Sequence, residues 1–138
     1  MLSKRIIACL DVRNGSVVKG IHFKGLRVAG DPAELSRRYN RDGIDEIVIL
    51  DVTATIEKRK ALADTIHVVA SEIFLPLCVG GGIKDEGHAD AAIEAGADKV
   101  SLNTAAIARP ELLTTLARRY GSQAVIVAID AKRVHSGF

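Results

Sequence analysis

Ile6-Ile7-Ala8-Cys9-Leu10-Asp11 and Val125-Ile126-Val127-Ala128-Ile129-Asp130 are near-copies of one another, set near the two ends of the chain. Each is a short apolar run that stops at an aspartate. A carboxylate at the carboxyl end of a buried strand is poorly placed for stability, because desolvating a charge is costly. It is well placed for chemistry. Two such carboxylates on a duplicated strand suggest an acid and a base facing one substrate.

Outward from these runs, strand and helix alternate. The first strand is expected at Arg5 to Leu10. A Gly-rich, basic loop follows from Asp11 to Gly30. Asp31-Pro32 reads as N-cap and first residue of a helix that stops at Gly43. The second strand covers Glu46 to Leu50 and ends at Asp51, with a helix from Lys58 to Glu72. The third covers Pro76 to Val79 and runs into Gly80-Gly81-Gly82, after which Asp85 caps a helix ending near Gly96. The fourth covers Asp98 to Leu102, ends at Asn103-Thr104, and precedes a helix opened by Pro110 and closed by Gly121. The fifth covers Gln123 to Ile129. Strands this short, apolar and β-branched fit a buried parallel sheet, and repeated βα units put helices outside it.

An open doubly wound sheet and a (β/α)₈ barrel both satisfy that pattern. An open sheet gathers its site at one switch point, whereas a barrel gathers it from many strand ends. Here polar residues follow nearly every strand: Asp11, Asp51, Gly80 to Gly82, Asn103 with Thr104, and Asp130. The expected fold class is therefore α/β, half of a TIM-type barrel with four βα units and a fifth strand, in a single incomplete domain over residues 1–138. A full barrel takes ~250 residues. The outer edges of the first and fifth strands would then be unpaired and prone to association. The chain would need a missing carboxyl-terminal half or a second copy of itself, or would fold poorly.

Composition narrows the function. Of 138 residues, 48% are hydrophobic and 26% charged, with a net charge of +2 in mixed signs. That gives no electrostatic case for nucleic acid or a membrane surface, and with 4% aromatics and no Trp a base-stacking surface is not expected. No stretch approaches the ~20 apolar residues of a membrane span, and the amino terminus lacks a signal-peptide run. Cys9 and Cys78 sit in apolar strands and are expected to be reduced, buried thiols of a cytoplasmic protein. His22, His67, His88 and His135 lack metal-ligand spacing, so no metal is expected.

Strand alternation groups the candidate residues. Asp11 shares a face with Cys9, Ile7 and Arg5, Asn103 shares one with Ser101 and Lys99, and Asp130 shares one with Ala128 and Ile126. The mouth would then hold carboxylates and an amide, above a small apolar middle. The floor would be charged, with Arg5, Lys99 and Glu46. Those floor charges form either a solvated salt-bridge cluster or the end of a narrow passage. The Gly80-Gly81-Gly82-Ile83 turn fits a phosphate cradle, since glycines let backbone N–H groups approach an anion. The same glycines also suit a turn that needs only their backbone angles. Asn103 and Thr104, after the next strand, could add donors to a phosphate. The long loop carries Arg13, Lys19, His22, Lys24 and Arg27 and is expected either to close over a substrate, with Lys19 contacting an anion, or to be a solvated flexible loop. Glu57 to Lys60 reads as a solvated helix start.

Taken together, KRIIACLDV, DEIVILDVTA, EKRK, VGGGI, GADKVSLNTAA and GSQAVIVAIDAKR resemble the cyclase subunit of imidazole glycerol phosphate synthase, from histidine biosynthesis. The resemblance spans the chain and covers the amino-terminal half of that family's barrel. The sister isomerase of the pathway shares the half-barrel repeat and paired-Asp design but lacks the ACLDV, NTAA and AIDAKR segments. The resemblance implies ammonia from a glutaminase subunit and a phosphoribulosyl-formimino aminoimidazole carboxamide ribonucleotide as bis-phosphate substrate. The products would be imidazole glycerol phosphate and aminoimidazole carboxamide ribonucleotide, made without any cofactor. It further implies Asp11 and Asp130 as the acid/base pair and Lys19 as a mobile-loop lysine. Gly81, Gly82, Asn103 and Thr104 would serve one phosphate site. Arg5, Glu46 and Lys99 would be three of four residues gating ammonia, and Asp98 would lie on the glutaminase-docking face. The second phosphate site and the fourth gating residue would belong to strands six to eight, so the isolated chain is expected to be inactive or weakly active. A non-catalytic half-barrel that binds phosphate or self-associates is the alternative.

Overall fold

A computed structural model describes residues 2–21, 24–53 and 59–134. His22, His135 and the Glu57-Lys58 part of the basic helix start lie outside the described residues. Seven strands form one sheet: β1 (Ile7–Arg13), β2 (Ser16–Ile21), β3 (Lys24–Gly30), β4 (Glu46–Asp51), β5 (Leu77–Gly80), β6 (Lys99–Leu102) and β7 (Val125–Val127). Five helices accompany them: α1 (Pro32–Arg41), α2 (Arg59–Glu72), α3 (Glu86–Glu94), α4 (Thr104–Ala108) and α5 (Glu111–Tyr120). The strand order is β3-β2-β1-β4-β5-β6-β7. From β1 through β4, β5 and β6 to β7 every pairing is parallel, as expected of half a barrel, and the sheet is open.

The expected loop from Asp11 to Gly30 is instead an antiparallel hairpin that extends the sheet. β1 continues three residues past Leu10 and pairs Val12 with Val17 and Arg13 with Ser16. The turn between them is Asn14 (φ 53) and Gly15 (φ 77), the Asn-Gly pair whose positive φ angles match the twist of a tight hairpin. β2 then pairs with β3, placing Lys19 opposite Arg27. The hairpin covers only the carboxyl end of β1, at Val12 and Arg13, so the free edges are β3, β7 and β1 below Val12. The strand expected at Gln123 to Ile129 is also shorter. A 3₁₀ turn takes Ser122–Ala124 and β7 stops at Val127, although the Ala128 N–H still reaches the Leu102 carbonyl at 2.8 Å. Helix α4 was not foreseen.

The helices form where their caps and apolar spacings dictate. The Asp31 carboxylate accepts from the Glu34 N–H at 2.9 Å and Pro32 opens α1; Asp85 caps α3 in the same way through His88 N–H. Ile66 and Val69 of α2, Ala89 and Ala92 of α3, and Leu112 and Leu116 of α5 fall at helical spacing and are buried. They pack on Leu10, Val12, Ile47, Ile49, Leu77, Val79, Val100 and Leu102, which are alternate residues of β1, β4, β5 and β6, in a single core. One face of the sheet thus meets helices. A doubly wound sheet would divide its helices between both faces. The other face, called inner here, keeps Ile7 46% exposed and Cys9 exposed.

A two-strand unit recurs within the chain. Gly43-Ile44-Asp45-Glu46-Ile47 and Gly96-Ala97-Asp98-Lys99-Val100 each link a helix to a strand. In the first, the Asp45 N–H donates to the Ile6 carbonyl while its carboxylate accepts from the Ile6 N–H at 2.6 Å. In the second, Asp98 makes the same two bonds to Leu77, both at 2.8 Å. Each aspartate fixes the entry of its strand against the neighbour before it.

Leu112 has no exposed surface. Leu112→Ala should cost about 2–5 kcal/mol, read as a lower urea midpoint with an unchanged slope. A loss below ~0.5 kcal/mol would show that α5 is not anchored as described.

Candidate active site at the carboxyl ends of the strands

Parallel register sorts the inner face into layers. Asp11, Leu50, Gly80, Ser101 and Ile126 are successive partners across five strands. One layer below, Cys9, Val48, Cys78 and Lys99 are partners, and below that Ile7 pairs with Glu46. Asn103 follows Ser101 by two residues and Asp130 follows Ile126 by four, so both stand above the Asp11 layer at the carboxyl end. The carboxyl end of the sheet thus carries Asp11, half-buried on β1, and Asp130, exposed beyond β7, with β4, β5 and β6 between their strands. The Asn103 Nδ2 donates to Asp130 Oδ2 at 2.7 Å.

The expected floor is assembled. Glu46 is only 2% exposed. Its Oε2 accepts from Arg5 Nη1 at 3.1 Å and its Oε1 accepts from Lys99 Nζ at 2.8 Å. One buried carboxylate thus holds two cations, one from the segment that enters β1 and one from β6. Lys99 starts a layer above Glu46 and reaches down to it. Glu46 and Lys99 occupy equivalent positions of the repeated two-strand unit and pair with each other through opposite charge. Between floor and mouth, the Cys78 thiol is buried and pushed up to about 11 by desolvation and the Glu46 carboxylate. Cys9, expected to be buried, is exposed because it lies on the length of β1 that has no neighbour on its outer side, whereas Cys78, two strands in on the same face, is buried. Its thiol is nonetheless shifted upward by partial desolvation among its neighbours and by Asp11.

The three glycines do different things. A Cβ on Gly80 would lie 2.9 Å from Leu50 Cδ2 and 3.0 Å from Ser101 Cβ. Gly81, at φ +81, lies against the Asp51 backbone, where a Cβ would overlap the carbonyl oxygen and approach the nitrogen to 2.7 Å. Gly82, at φ +71, has no atom within 4 Å of a Cβ position. Among the described residues the space above it is open.

Other expected residues lie apart. Asp51 pairs with Val12, a core-facing position, so it belongs to the helix side of the sheet. Its Oδ1 accepts from the Thr53 N–H at 2.9 Å. It lines a cavity of about 510 Å³ with Gly82, Leu62, Ile66, Lys84 and His88. Lys19 is exposed on the β2–β3 hairpin, and among the described residues no hydrogen bond or ion pair joins it to Asp11 or Asp130. Thr104 begins α4 and is exposed; Asn103 precedes it as N-cap but makes no side-chain capping bond. Asp98 is exposed at the opposite, amino-terminal end of the sheet and is engaged with the Leu77 N–H. His67 is exposed on α2, and His88 Nδ1 lies 2.6 Å from Asp85 Oδ1. Among the described residues no three His, Cys, Asp or Glu side chains are placed to hold a metal ion. The sequence reading missed Asp45 and the hairpin. The repeated Gly-x-Asp spacing and the Asn-Gly pair between valines were the available signals.

Gly81→Ala should destabilise the chain markedly, because its Cβ meets rigid backbone. Gly82→Ala should cost only about 1 kcal/mol of conformational strain. Equal thermal shifts would contradict this difference. Thiol labelling at mildly alkaline pH should modify Cys9 readily and Cys78 at least ~10-fold more slowly, in keeping with their exposure and with the raised Cys78 thiol. Faster labelling of Cys78 would place it wrongly.

The sequence pattern of a family described as histidine biosynthesis protein matches residues 5–137. The imidazole glycerol phosphate synthase subunit HisF of Thermotoga sp. strain RQ2 is 56% identical over 138 residues, all of this chain and 54% of that protein. The subunit of the same name from Dehalococcoides mccartyi strain 195 is 52% identical over the same length, with the same shares covered. That from Solibacter usitatus is 56% identical over 133 residues, 96% of this chain and 52% of that protein. The chain spans about half the length of these curated relatives, and it belongs to the histidine biosynthesis protein family.

Proposed function

We propose that this chain is the amino-terminal half of an imidazole glycerol phosphate synthase cyclase barrel. The observation that carries the reading is the layering of one open face. A single carboxylate holds two cations at the floor, small and apolar side chains lie above it, and carboxylates stand at both flanks of the mouth. The substrate would be a phosphoribulosyl-formimino aminoimidazole carboxamide ribonucleotide. Ammonia would convert it to imidazole glycerol phosphate and aminoimidazole carboxamide ribonucleotide, with no cofactor.

Closing an imidazole ring requires a proton to be taken from one atom and returned to another. Two carboxylates in different surroundings can divide these steps. Asp11, half-buried beside the Cys9 layer, and Asp130, exposed and amide-bonded, meet that requirement. One substrate phosphate would rest over Gly82, with Gly81 holding the turn in place and Asn103 and Thr104 beside it. Lys19, on the hairpin, would contact substrate after that ribbon bends over the mouth. Ammonia is a nucleophile only while unprotonated, and the Val48–Cys78 layer offers a path with little water above the Arg5–Glu46–Lys99 cluster.

The source of ammonia would be a glutaminase subunit docked at the amino-terminal end of the sheet, by Asp98. The surface there suits a protein partner. Phe74 is 97% exposed and shares a concavity with Pro76, Asp98, Lys99 and Gln123, and exposed aromatic side chains of this kind anchor interfaces. A cytoplasmic setting agrees with the two free thiols. They are two strands apart, about 9–10 Å at the usual strand spacing, too far to join. Among the described residues no helix is long and apolar enough to cross a membrane.

The open β7 edge and the unpaired length of β1 below Val12 call for a complement, either the carboxyl-terminal half-barrel or a second copy. The chain alone would turn over poorly, since it offers a bis-phosphate only one anchoring end. The same open edges favour, as second reading, a half-barrel that self-associates without catalysis.

Mixed with its complementing half at high ammonia and alkaline pH, the chain should form imidazole glycerol phosphate. Asp11→Asn should lower turnover about 10²–10⁴-fold while leaving phosphate affinity within ~3-fold, as expected for a group that acts in the transition state only. Unchanged turnover would remove Asp11 from the mechanism. Full activity of the unmixed chain would overturn its dependence on a complement.

A further inference from the structure

We propose that Asn103 is a positioning residue for Asp130, and that this role is separate from any contact it makes with phosphate. The inference rests on the cyclase reading of the mouth.

Asp130 is weakly supported by the backbone. β7 ends at Val127, and the last backbone bond along this edge is from the Ala128 N–H to the Leu102 carbonyl. Beyond it the chain is exposed. Among the described residues, the one side-chain bond made by Asp130 is the 2.7 Å contact from Asn103 Nδ2. Asn103, by contrast, is well anchored. It directly follows β6, it is half-buried, and its carbonyl accepts from the Ala106 N–H at 3.0 Å in the first turn of α4. A fixed amide therefore holds a loosely tethered carboxylate.

Asn103 also forgoes its ordinary local role. Asparagine is among the best helix N-caps because its side-chain oxygen accepts from the first free N–H groups. At the head of α4, Asn103 makes no such bond. Its backbone there (φ −121, ψ −91) is not the extended form usual for an N-cap, and its side chain is turned onto the neighbouring strand's carboxylate.

The chemistry of the amide group makes the two roles separable. Nδ2 carries two hydrogens and cannot accept. One hydrogen is committed to Asp130 Oδ2, which orients that carboxylate and leaves Oδ1 free to exchange a proton with substrate. The second hydrogen remains for a phosphate oxygen. Loss of the first should lower kcat, since a misplacement of the order of 1 Å can cost about 100-fold. Loss of the second should raise KM.

The test uses the barrel assembled from this chain and its complementing half, alongside the chain alone. Asn103→Leu preserves shape and removes the donor. It should lower kcat about 100-fold and also raise KM, because the phosphate contact is lost with the same amide. Asn103→Asp, which cannot donate when ionised and repels Asp130, should be no better. Asn103→Gln, which keeps a donor, should recover about tenfold over Asn103→Leu. A rise in KM with kcat unchanged would overturn the proposal and leave Asn103 as a phosphate contact. In the chain alone, the side-chain amide resonance of Asn103 should move on Asp130→Ala while that of Asn40 does not; no movement would also overturn it. If the wild-type pair fails to turn over, the cyclase reading falls, and the amide resonance by itself confirms or overturns the pairing.

Discussion

Every candidate site position in this chain depends on the strict alternation of side chains along parallel strands under a single layer of helices. Leu10, Ile47, Val79 and Val100 commit one face of the sheet to burial. Their sequence neighbours have no choice but the opposite face. Once the helices are satisfied, the inner positions are released from packing duty, and they carry Glu46, Lys99, Asp11 and the glycine turn. The hydrophobic requirement on one side thus creates the chemical freedom on the other. A slip of one residue in any strand would exchange the two sets and lose both core and site.

The floor and the mouth solve opposite electrostatic problems. At the floor, a carboxylate removed from solvent is compensated by two cations, so that the charge is tolerated within the sheet. At the mouth, Asp11 and Asp130 remain solvent-accessible and have no cationic partner among the ion pairs of the described residues, a state suited to proton exchange. Away from both, Asp90 is held below the ordinary carboxylate range by the Tyr120 hydroxyl and by Arg119, and Glu86 by Arg109. These are partly exposed pairs that tie α3 to α5 and to the α4–α5 junction. Their help to the fold is full above the ordinary carboxylate range and fades as pH falls through the lowered folded values. Solvent screening keeps it small.

The sequence made the parallel core legible because burial on one side leaves a clear mark: short β-branched runs, capped helices and polar strand ends. Asp11, Asn103 and Asp130 could be assigned to one face by counting residues, and the Arg5–Glu46–Lys99 cluster by the same count. What escaped depended on pairings that a count does not show. The Asn14-Gly15 turn was absorbed into a basic segment that read as loop, so the hairpin was lost. Asp51 was counted with the polar strand ends, yet register places it on the core-facing set. Cys9 was assigned to the interior because its run is apolar. It lies on the length of β1 that no strand borders on its outer side. The contact between Asn103 and Asp130 joins two strand ends whose heights above the sheet follow from stagger, and stagger is a three-dimensional quantity.

Gly80, Gly81 and Gly82 look like one motif, but each is required on different grounds: side-chain crowding, a backbone wall and a turn angle with open space above it. Each requirement belongs to one fixed place along the chain. Losing or gaining a single residue at this turn would put every glycine against its neighbour's constraint. The length of this segment is therefore less free to drift than its composition, and variation here is confined to exchange at single positions, with the outermost glycine the most permissive.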